Sequence, residues 1–352
     1  MFPREYRGVA FAVGLFVIVQ VGALALVPEF SESGYQAVEN PDNPANSVLY
    51  VAAIVAMTGV MLAAFRYDFD WAIRLLIVGT SAWLSWYVFS AVVSPLAAAV
   101  PAVAVAVGLL VYPEWYVIDT AGVLMGAGAA GLFGISFGLL PALVLLAVLA
   151  VYDAVSVYGT EHMLSLAEGV MDLNIPVVLV IPLSLSYSLL DDGAASDEAA
   201  GVGEEAADAA ATETDGDVGR DAEHDGDGDT AADADTETDG DADVDTAADP
   251  GDRDAFFIGL GDAVIPAVLV ASAATFSSAP NLSVPFLGVN LPALLAMVGS
   301  LGGLLVLMRW VMRGRPHAGL PLLNGGAIGG YLIGSLAAGI PLVEALGIGA
   351  FL

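Results

Sequence analysis

Nine apolar stretches of about 20 residues recur along the chain, separated by short polar segments. Each is long enough for one helical crossing of a hydrocarbon core about 30 Å thick. Two longer apolar runs are divided by Pro95 and by Pro141, and each is counted as two crossings. The pattern predicts an all-α polytopic membrane protein with nine transmembrane helices, at about residues 8–27, 47–65, 71–93, 95–112, 118–138, 139–160, 256–275, 286–308 and 320–342.

Charge is concentrated in one part of the chain. The 352 residues are 57% hydrophobic and carry a net charge of −31, but Asp191–Asp254 contains 25 acidic residues and two arginines. This segment has almost no large apolar side chains, so it cannot bury enough surface to offset chain entropy. We expect a disordered cytoplasmic loop at 191–254 between a six-helix portion (1–190) and a three-helix portion (255–352).

The nine basic residues are all arginines, and they indicate the orientation of the chain. With nine crossings every arginine falls on one side, which identifies that side as cytoplasmic. The N-terminus is then cytoplasmic and the C-terminus outside. A cleaved signal peptide is an alternative for the first stretch. Ile175–Leu190 has 16 residues and two prolines, and we interpret it as a re-entrant or strand-like segment near the cytoplasmic surface rather than a crossing.

The absence of lysine and the excess of acidic residues suggest a protein from a high-salt cytoplasm. The chain also lacks cysteine, which excludes disulfides and thiolate metal sites. A multi-pass location in the cell membrane and no contact with nucleic acid follow from this composition.

Two carboxylates interrupt the apolar stretches at the same predicted depth. Asp153 lies near the end of the sixth crossing, and Asp262 follows the motif Gly259-Leu260-Gly261 near the start of the seventh. Each is about six residues, or roughly 9 Å, from the cytoplasmic face. Charged groups at such depth are expensive and usually functional. The glycines permit close backbone approach or local unwinding, although ordinary helix packing would also account for them.

Two adjacent carboxyl groups can share one proton, so that one accepts a proton from water while the other polarises a carbonyl. This is the chemistry of aspartic proteolysis. The motif HExxH is absent, and the three histidines lie outside the apolar stretches. A zinc or Ser-His intramembrane protease therefore lacks its parts. We expect no cofactor and no metal.

These motifs resemble the presenilin and signal peptide peptidase family of GxGD intramembrane aspartyl proteases. The resemblance consists of Tyr152-Asp153, Gly259 to Asp262 and Gly319-Leu320-Pro321, in the same order and on the sixth, seventh and ninth crossings, with a large loop after the sixth. It implies an archaeal presenilin homologue that cleaves single-span transmembrane helices in the bilayer. Asp153 and Asp262 would be the catalytic pair. Supporting or substrate-binding roles would fall to Tyr152, Gly259, Leu260, Gly261, Gly319, Leu320 and Pro321.

The chain departs from the family pattern at one motif. The family's Pro-Ala-Leu signature is replaced by Ala318-Gly319-Leu320, although Pro321 follows as expected. In the family, extended strands near the cytoplasmic mouth pair with the unwound substrate, and Pro176–Pro182 resembles such a strand. From the residues themselves, Asn324 could support the site by a hydrogen bond across helices.

Other functions remain open at this stage. A proton-coupled membrane transporter would also use paired intramembrane carboxylates, but it predicts sequence repeats that this chain does not show. A scaffold for membrane helices would not need two acids at one depth. Prepilin peptidases share a GxGD acid but have no role for the other two motifs. Asp119 lies close to a predicted interface, and we expect it to be solvated.

Overall fold

The computed structural model describes residues 4–67, 69–159, 178–184, 187–190, 255–284, 287–312 and 318–349. The chain divides into two units, Met1–Tyr187 with Arg253–Leu352, and Ser188–Asp252. The helices and strands named below belong to the first unit. The predicted disorder of residues 191–254 concerns positions outside the described ranges.

Nine helices of 17 residues or more lie in the described ranges, one for each predicted crossing. By length and composition seven of them could cross a membrane, whereas the fourth and the seventh have 17 residues each. The chain is therefore a mostly helical multi-pass membrane protein, and the count of nine crossings stays a prediction. The helices are α1 (Arg4–Glu32), α2 (Ala45–Arg66), α3 (Asp70–Ser90), α4 (Pro95–Val111), α5 (Trp115–Ser136), α6 (Leu139–Gly159), α7 (Leu260–Phe276), α8 (Leu291–Val311) and α9 (Leu320–Ala337), followed by the short α10 (Leu342–Ala345).

Helix α4 lies at the outer surface of the bundle. It begins at Pro95, because a proline fits the first helical position, where its missing N–H would have no partner. Its 17 residues rise only about 26 Å. One face consists of apolar side chains that are 51% to 87% exposed and recur every three or four residues: Leu96, Val100, Val103, Val107 and Val111.

Helices α5 and α7 form the centre of the bundle. Every residue of α7 from Pro266 to Ala273 is buried, and α7 packs against α1, α5, α6, α8 and α9. Small residues allow this contact, since transmembrane helices approach closely where side chains are short. A Cβ added at Gly134 of α5 would overlap Ala271 of α7. The central position of α7 fixes the helix that carries Asp262.

Helices α8 and α9 meet along a line of glycines, here named the glycine seam: Gly299 and Gly303 of α8 and Gly326 and Gly330 of α9. A Cβ added at Gly299 would collide with the backbone of Gly326, and one added at Gly330 would collide with the backbone of Leu295. The two backbones are therefore in direct contact. The seam fixes α9, whose first residues reach the candidate site.

Two short strands, β1 (Val178–Pro182) and β2 (Ala255–Gly259), form an antiparallel pair. The register places Val180 opposite Phe257 and Pro182 opposite Ala255. Strand β1 is packed against α5 and α1 and its three central residues are buried. The predicted strand-like segment is thus a strand from Val178 onward, while the first two residues of the proposed Pro176–Pro182 strand lie outside the described ranges.

The predicted start of the seventh helix at about Phe256 is wrong. Residues Phe256–Gly259 belong to β2, and α7 begins only at Leu260. The sequence Ala-Phe-Phe-Ile-Gly suits a pleated, half-buried strand, because aromatic and β-branched side chains favour that surface. Pairing with β1 also satisfies backbone groups that would otherwise lack partners in an apolar environment.

Candidate active site

Asp153 is a buried carboxylate on α6, with 7% of its surface exposed. Its Oδ2 atom accepts a hydrogen bond of 3.0 Å from the backbone N–H of Leu320, the first residue of α9. The backbone N–H of Gly319 is directed at the same carboxylate. The N-terminus of α9 therefore supplies donors to Asp153, as helix N-termini do for anions generally.

Asp262 lies in the first turn of α7 and is half-buried. It is the third residue of that helix, because α7 begins at Leu260 rather than at about Phe256. Its depth below the cytoplasmic face stays a prediction. The change from strand to helix at Gly259 and Leu260 directs Asp262 towards the same place as Asp153, since both carboxylates lie against the start of α9. The structure thus brings together the two acids that the sequence singled out.

Gly319 lies between the N-terminus of α9 and Asp262. A Cβ added to Gly319 would lie 3.0 Å from Oδ2 of Asp262 and 3.3 Å from Cδ2 of Leu307. The α-carbon of Gly319 is therefore packed against the second carboxylate, while the N–H of Leu320 bonds to the first. The N-cap residue Gly319 and the first helical residue Leu320 therefore contact the two acids, and a side chain at Gly319 would crowd Asp262.

A second contact fixes α9 to α6 farther from the acids. The amide of Asn324 is fully buried, and its Nδ2 atom donates a hydrogen bond of 2.9 Å to the carbonyl of Leu146. Leu146 precedes Asp153 by seven residues and Asn324 follows Leu320 by four, so each pair shares one helix face. The two helices are joined at two points. The predicted cross-helix hydrogen bond of Asn324 is present, and its role in supporting the site stays a prediction.

The remaining predicted residues have different environments. Tyr152 is 46% exposed and lies on the outer surface, since consecutive helical residues point about 100° apart. Leu260 is buried against Gly126 of α5. A Cβ added at Gly261 would meet nothing within 4 Å, so no described neighbour requires glycine there. Gly259 caps α7, and Pro321 lies in the first turn of α9.

Sequence reasoning missed the role of Asp119. This residue of α5 is not solvated but 4% exposed, and its Oδ1 atom accepts a hydrogen bond of 2.8 Å from the backbone N–H of Val180 in β1. Its position inside an apolar helix was a signal that could have identified it. The expectation of solvation was wrong because β1 covers this face of α5.

The arrangement can activate water. Two carboxyl groups that share one proton provide a base and an acid at the same place, and apolar packing around them strengthens both effects. Within the described part of the chain, no three His, Cys, Asp or Glu side chains lie together in a way that could hold a metal ion. The chemistry available from these residues is acid–base chemistry on a polarised carbonyl.

Comparisons with known proteins agree with this geometry. A family model described as "Signal-peptide peptidase, presenilin aspartyl protease" matches residues 13–340. Two similar solved structures are of a presenilin family intramembrane aspartate protease, in space groups C222 and P2. The C222 structure is 29% identical, covers 94% of this chain and 99% of its own, and has a TM-score of 0.58. The P2 structure is 31% identical, covers 92% of this chain and 96% of its own, and has a TM-score of 0.54.

No curated protein matches the chain. None of the three matches above is a transporter, and the proposed proton-coupled transporter gains no support from them.

Proposed function

Because the chain belongs to the family of signal-peptide peptidase and presenilin aspartyl proteases, we propose that it hydrolyses peptide bonds within single-span transmembrane substrates by means of Asp153 and Asp262. The protein is an aspartic endopeptidase that acts in the membrane. The observation that carries the assignment of the two residues is their common contact with the start of α9, where Leu320 bonds to Asp153 and Gly319 packs on Asp262.

The reaction follows from one proton shared by the two acids. The ionised carboxylate takes a proton from water as the water oxygen attacks the scissile carbonyl carbon, and the protonated carboxyl gives its proton to the carbonyl oxygen. The product is a tetrahedral gem-diol. Proton transfer to the amide nitrogen then allows the C–N bond to break, which yields a carboxylic acid and an amine. The N–H groups at the start of α9 orient Asp153 throughout.

The substrate strand adds to the free edge of β2. In an antiparallel ladder, pairs that exchange backbone hydrogen bonds alternate with pairs that do not. The N–H of Val180 points away from β2 to Asp119, and Pro182 has no N–H. The pairs Val180–Phe257 and Pro182–Ala255 are therefore the ones without hydrogen bonds between β1 and β2. Phe257, opposite Val180, then points its N–H and C=O away from β1. No third strand pairs with this sheet in the described ranges, and Phe257 is 41% exposed. An unwound substrate can pair there, three residues before α7.

Leu320→Pro tests the donor to Asp153. Leu320 is the first helical residue, where proline is tolerated, but the substitution removes the N–H. We expect turnover to fall about 10- to 100-fold, because a hydrogen bond to a charged group is lost. Leu320→Ala keeps the N–H and should keep most of the activity. Equal losses in the two variants, measured with one peptide substrate, would show that the side chain matters and the donor does not.

In the proposed topology the chain crosses the cell membrane nine times. The N-terminus and the acidic segment then lie in the cytoplasm, and the C-terminus lies outside. The chain has no cysteine, so single cysteines can be introduced without background. At Ser33 and Leu352 they should react with an impermeant thiol reagent on intact cells, and at Ser196 they should not. Labelling at position 196 before lysis would contradict the nine-crossing arrangement.

The decisive experiment for the function is cleavage itself. Purified protein is incubated with a panel of single-span peptides in detergent and in vesicles, and the products are identified by mass spectrometry. We expect new termini inside the apolar part of some peptides. A folded protein that leaves every peptide intact would contradict the proposed substrate class.

A further inference from the structure

Asp119 is a buried carboxylate that the proposed reaction does not use. Its Oδ1 atom accepts the hydrogen bond from Val180 described above, while its Oδ2 atom is buried and has no partner among the described residues. Burial of a carboxylate with only one hydrogen-bonded oxygen costs free energy of folding. The hydrogen bond from Val180 attaches β1 to α5, and this attachment is the role that would account for a carboxylate at this position.

The backbone N–H of Val180 has no alternative partner on the neighbouring strand. It points away from β2, towards α5, in a region whose residues on either side, Leu179 and Ile181, are almost completely buried. A backbone donor in such an apolar place must be satisfied within the protein. An acceptor on α5 is therefore required for β1 to occupy this position.

A second hydrogen bond joins the same turn of α5 to the segment that follows β1. Trp115 lies four residues before Asp119, on the same helix face, and its indole Nε1–H donates to the carbonyl of Tyr187 at 3.0 Å. The N-terminal part of α5 thus bonds to Val180 through Asp119 and to Tyr187 through Trp115. Strand β2 is paired with β1, and three residues after its end comes Asp262.

We propose that Asp119 is a positioning residue for substrate: by holding β1 on α5, it fixes the free edge of β2 in register with the two catalytic acids. The proposal rests on the proposed addition of a substrate strand to β2. Asp119 does not touch the substrate. It acts as a hydrogen-bond acceptor, so its negative charge is not required and an amide oxygen can replace the carboxylate oxygen.

Kinetics with two variants and one control test this role. Asp119→Ala removes the acceptor, whereas Asp119→Asn retains it. Thr120→Ala is the matched control, since Thr120 is the next residue, is exposed and bonds only within its own helix. For a peptide with a strand-forming segment next to its cleavage site, we expect Asp119→Ala to raise KM about tenfold, with a smaller effect on kcat and additional cleavage sites. Asp119→Asn and Thr120→Ala should stay within about twofold of the original protein.

A second substrate separates positioning from general damage. The same peptide with N-methylated backbone positions in that segment cannot pair with β2, so Asp119→Ala should change its KM little. Equal fractional losses on both peptides, or equal losses in Asp119→Ala and Asp119→Asn, would overturn the proposal.

Val180→Pro removes the donor instead of the acceptor and leaves the ladder to β2 intact, since this N–H faces away from it. We expect the same KM effect, with no further loss in the double variant. If Asp119→Ala does not fold, Val180→Pro and Asp119→Asn still decide the question.

Amide hydrogen exchange gives a readout that does not depend on turnover. In Asp119→Ala the Val180 amide should exchange at least about tenfold faster, while it stays protected in Asp119→Asn. Unchanged exchange in Asp119→Ala would overturn the inference. If the original protein cleaves neither peptide, the proposed function fails. Loss of protection of the Val180 amide in Asp119→Ala would still show that Asp119 positions β1.

Discussion

Replacing Asp262 with asparagine should abolish cleavage, with a loss of at least about 10³-fold, because the substitution removes a proton-transferring carboxyl from a pair that acts as a unit. Asp153→Asn should have the same effect. The double variant should be no worse than either single one, since one lost partner already disables the pair. The measurement is single-turnover cleavage of one single-span peptide by detergent-solubilised protein.

The controls address folding and substrate binding. All three asparagine variants should bind the peptide and unfold at a temperature similar to that of the original protein, because asparagine has nearly the same volume as aspartate. Activity of the original protein should be bell-shaped in pH, since one carboxyl must be protonated and the other ionised. Substantial cleavage by a folded Asp262→Asn protein would falsify the two-aspartate mechanism.

Valine at Gly326 or at Gly330 should destabilise the protein and inactivate it. Each added side chain would collide with the backbone of α8 in the glycine seam, so α9 must move away from α8. We expect a loss of about 3 kcal/mol or more in the free energy of unfolding, at the upper end of overpacking effects, because the obstacle is backbone. Displacement of α9 would also move Gly319 and Leu320 away from the two acids.

Gly325→Val and Gly329→Val are matched controls on the same helix. They carry the same cost of a β-branched residue in a helix, but a Cβ at either position meets nothing within 4 Å. Thermal unfolding in detergent, followed by circular dichroism, should separate the two pairs of variants clearly. Similar melting temperatures for all four would show that the seam is not the determinant of the α8–α9 contact.

The helices could be located from the sequence because an apolar run of about 20 residues matches the length of a membrane-spanning helix. The breaks at Pro95 and near Pro141 followed from the geometry of proline. The two acids followed from their cost in an apolar helix, and their roles from the resemblance to a family. The structure brings Asp153 and Asp262 together, while their roles stay a proposal.

The strand β2 could not be separated from a helix by pattern alone. Phe256–Gly259 continues directly into an apolar stretch, and a short apolar run fits both periodicities. What decides in favour of a strand is pairing with Val178–Pro182, more than 70 residues earlier in the chain. Asp119 was misjudged for the same reason. Its place in an apolar helix marked it as unusual, but its environment is created by β1, and the local pattern on α5 does not indicate that a strand packs there.

The shortness of α4 has a consequence for bilayer thickness if this helix is the predicted fourth crossing. Its exposed apolar face spans about 26 Å, roughly 4 Å less than an average hydrocarbon core, whereas α2 and α3 are four or five residues longer. As the predicted fourth crossing, α4 would require the surrounding lipid to thin or would shift against α3, at a cost of fractions of a kcal/mol per Å. Bilayers of shorter acyl chains would remove this hydrophobic mismatch, and the enzyme would partition towards the thinner regions of a heterogeneous membrane.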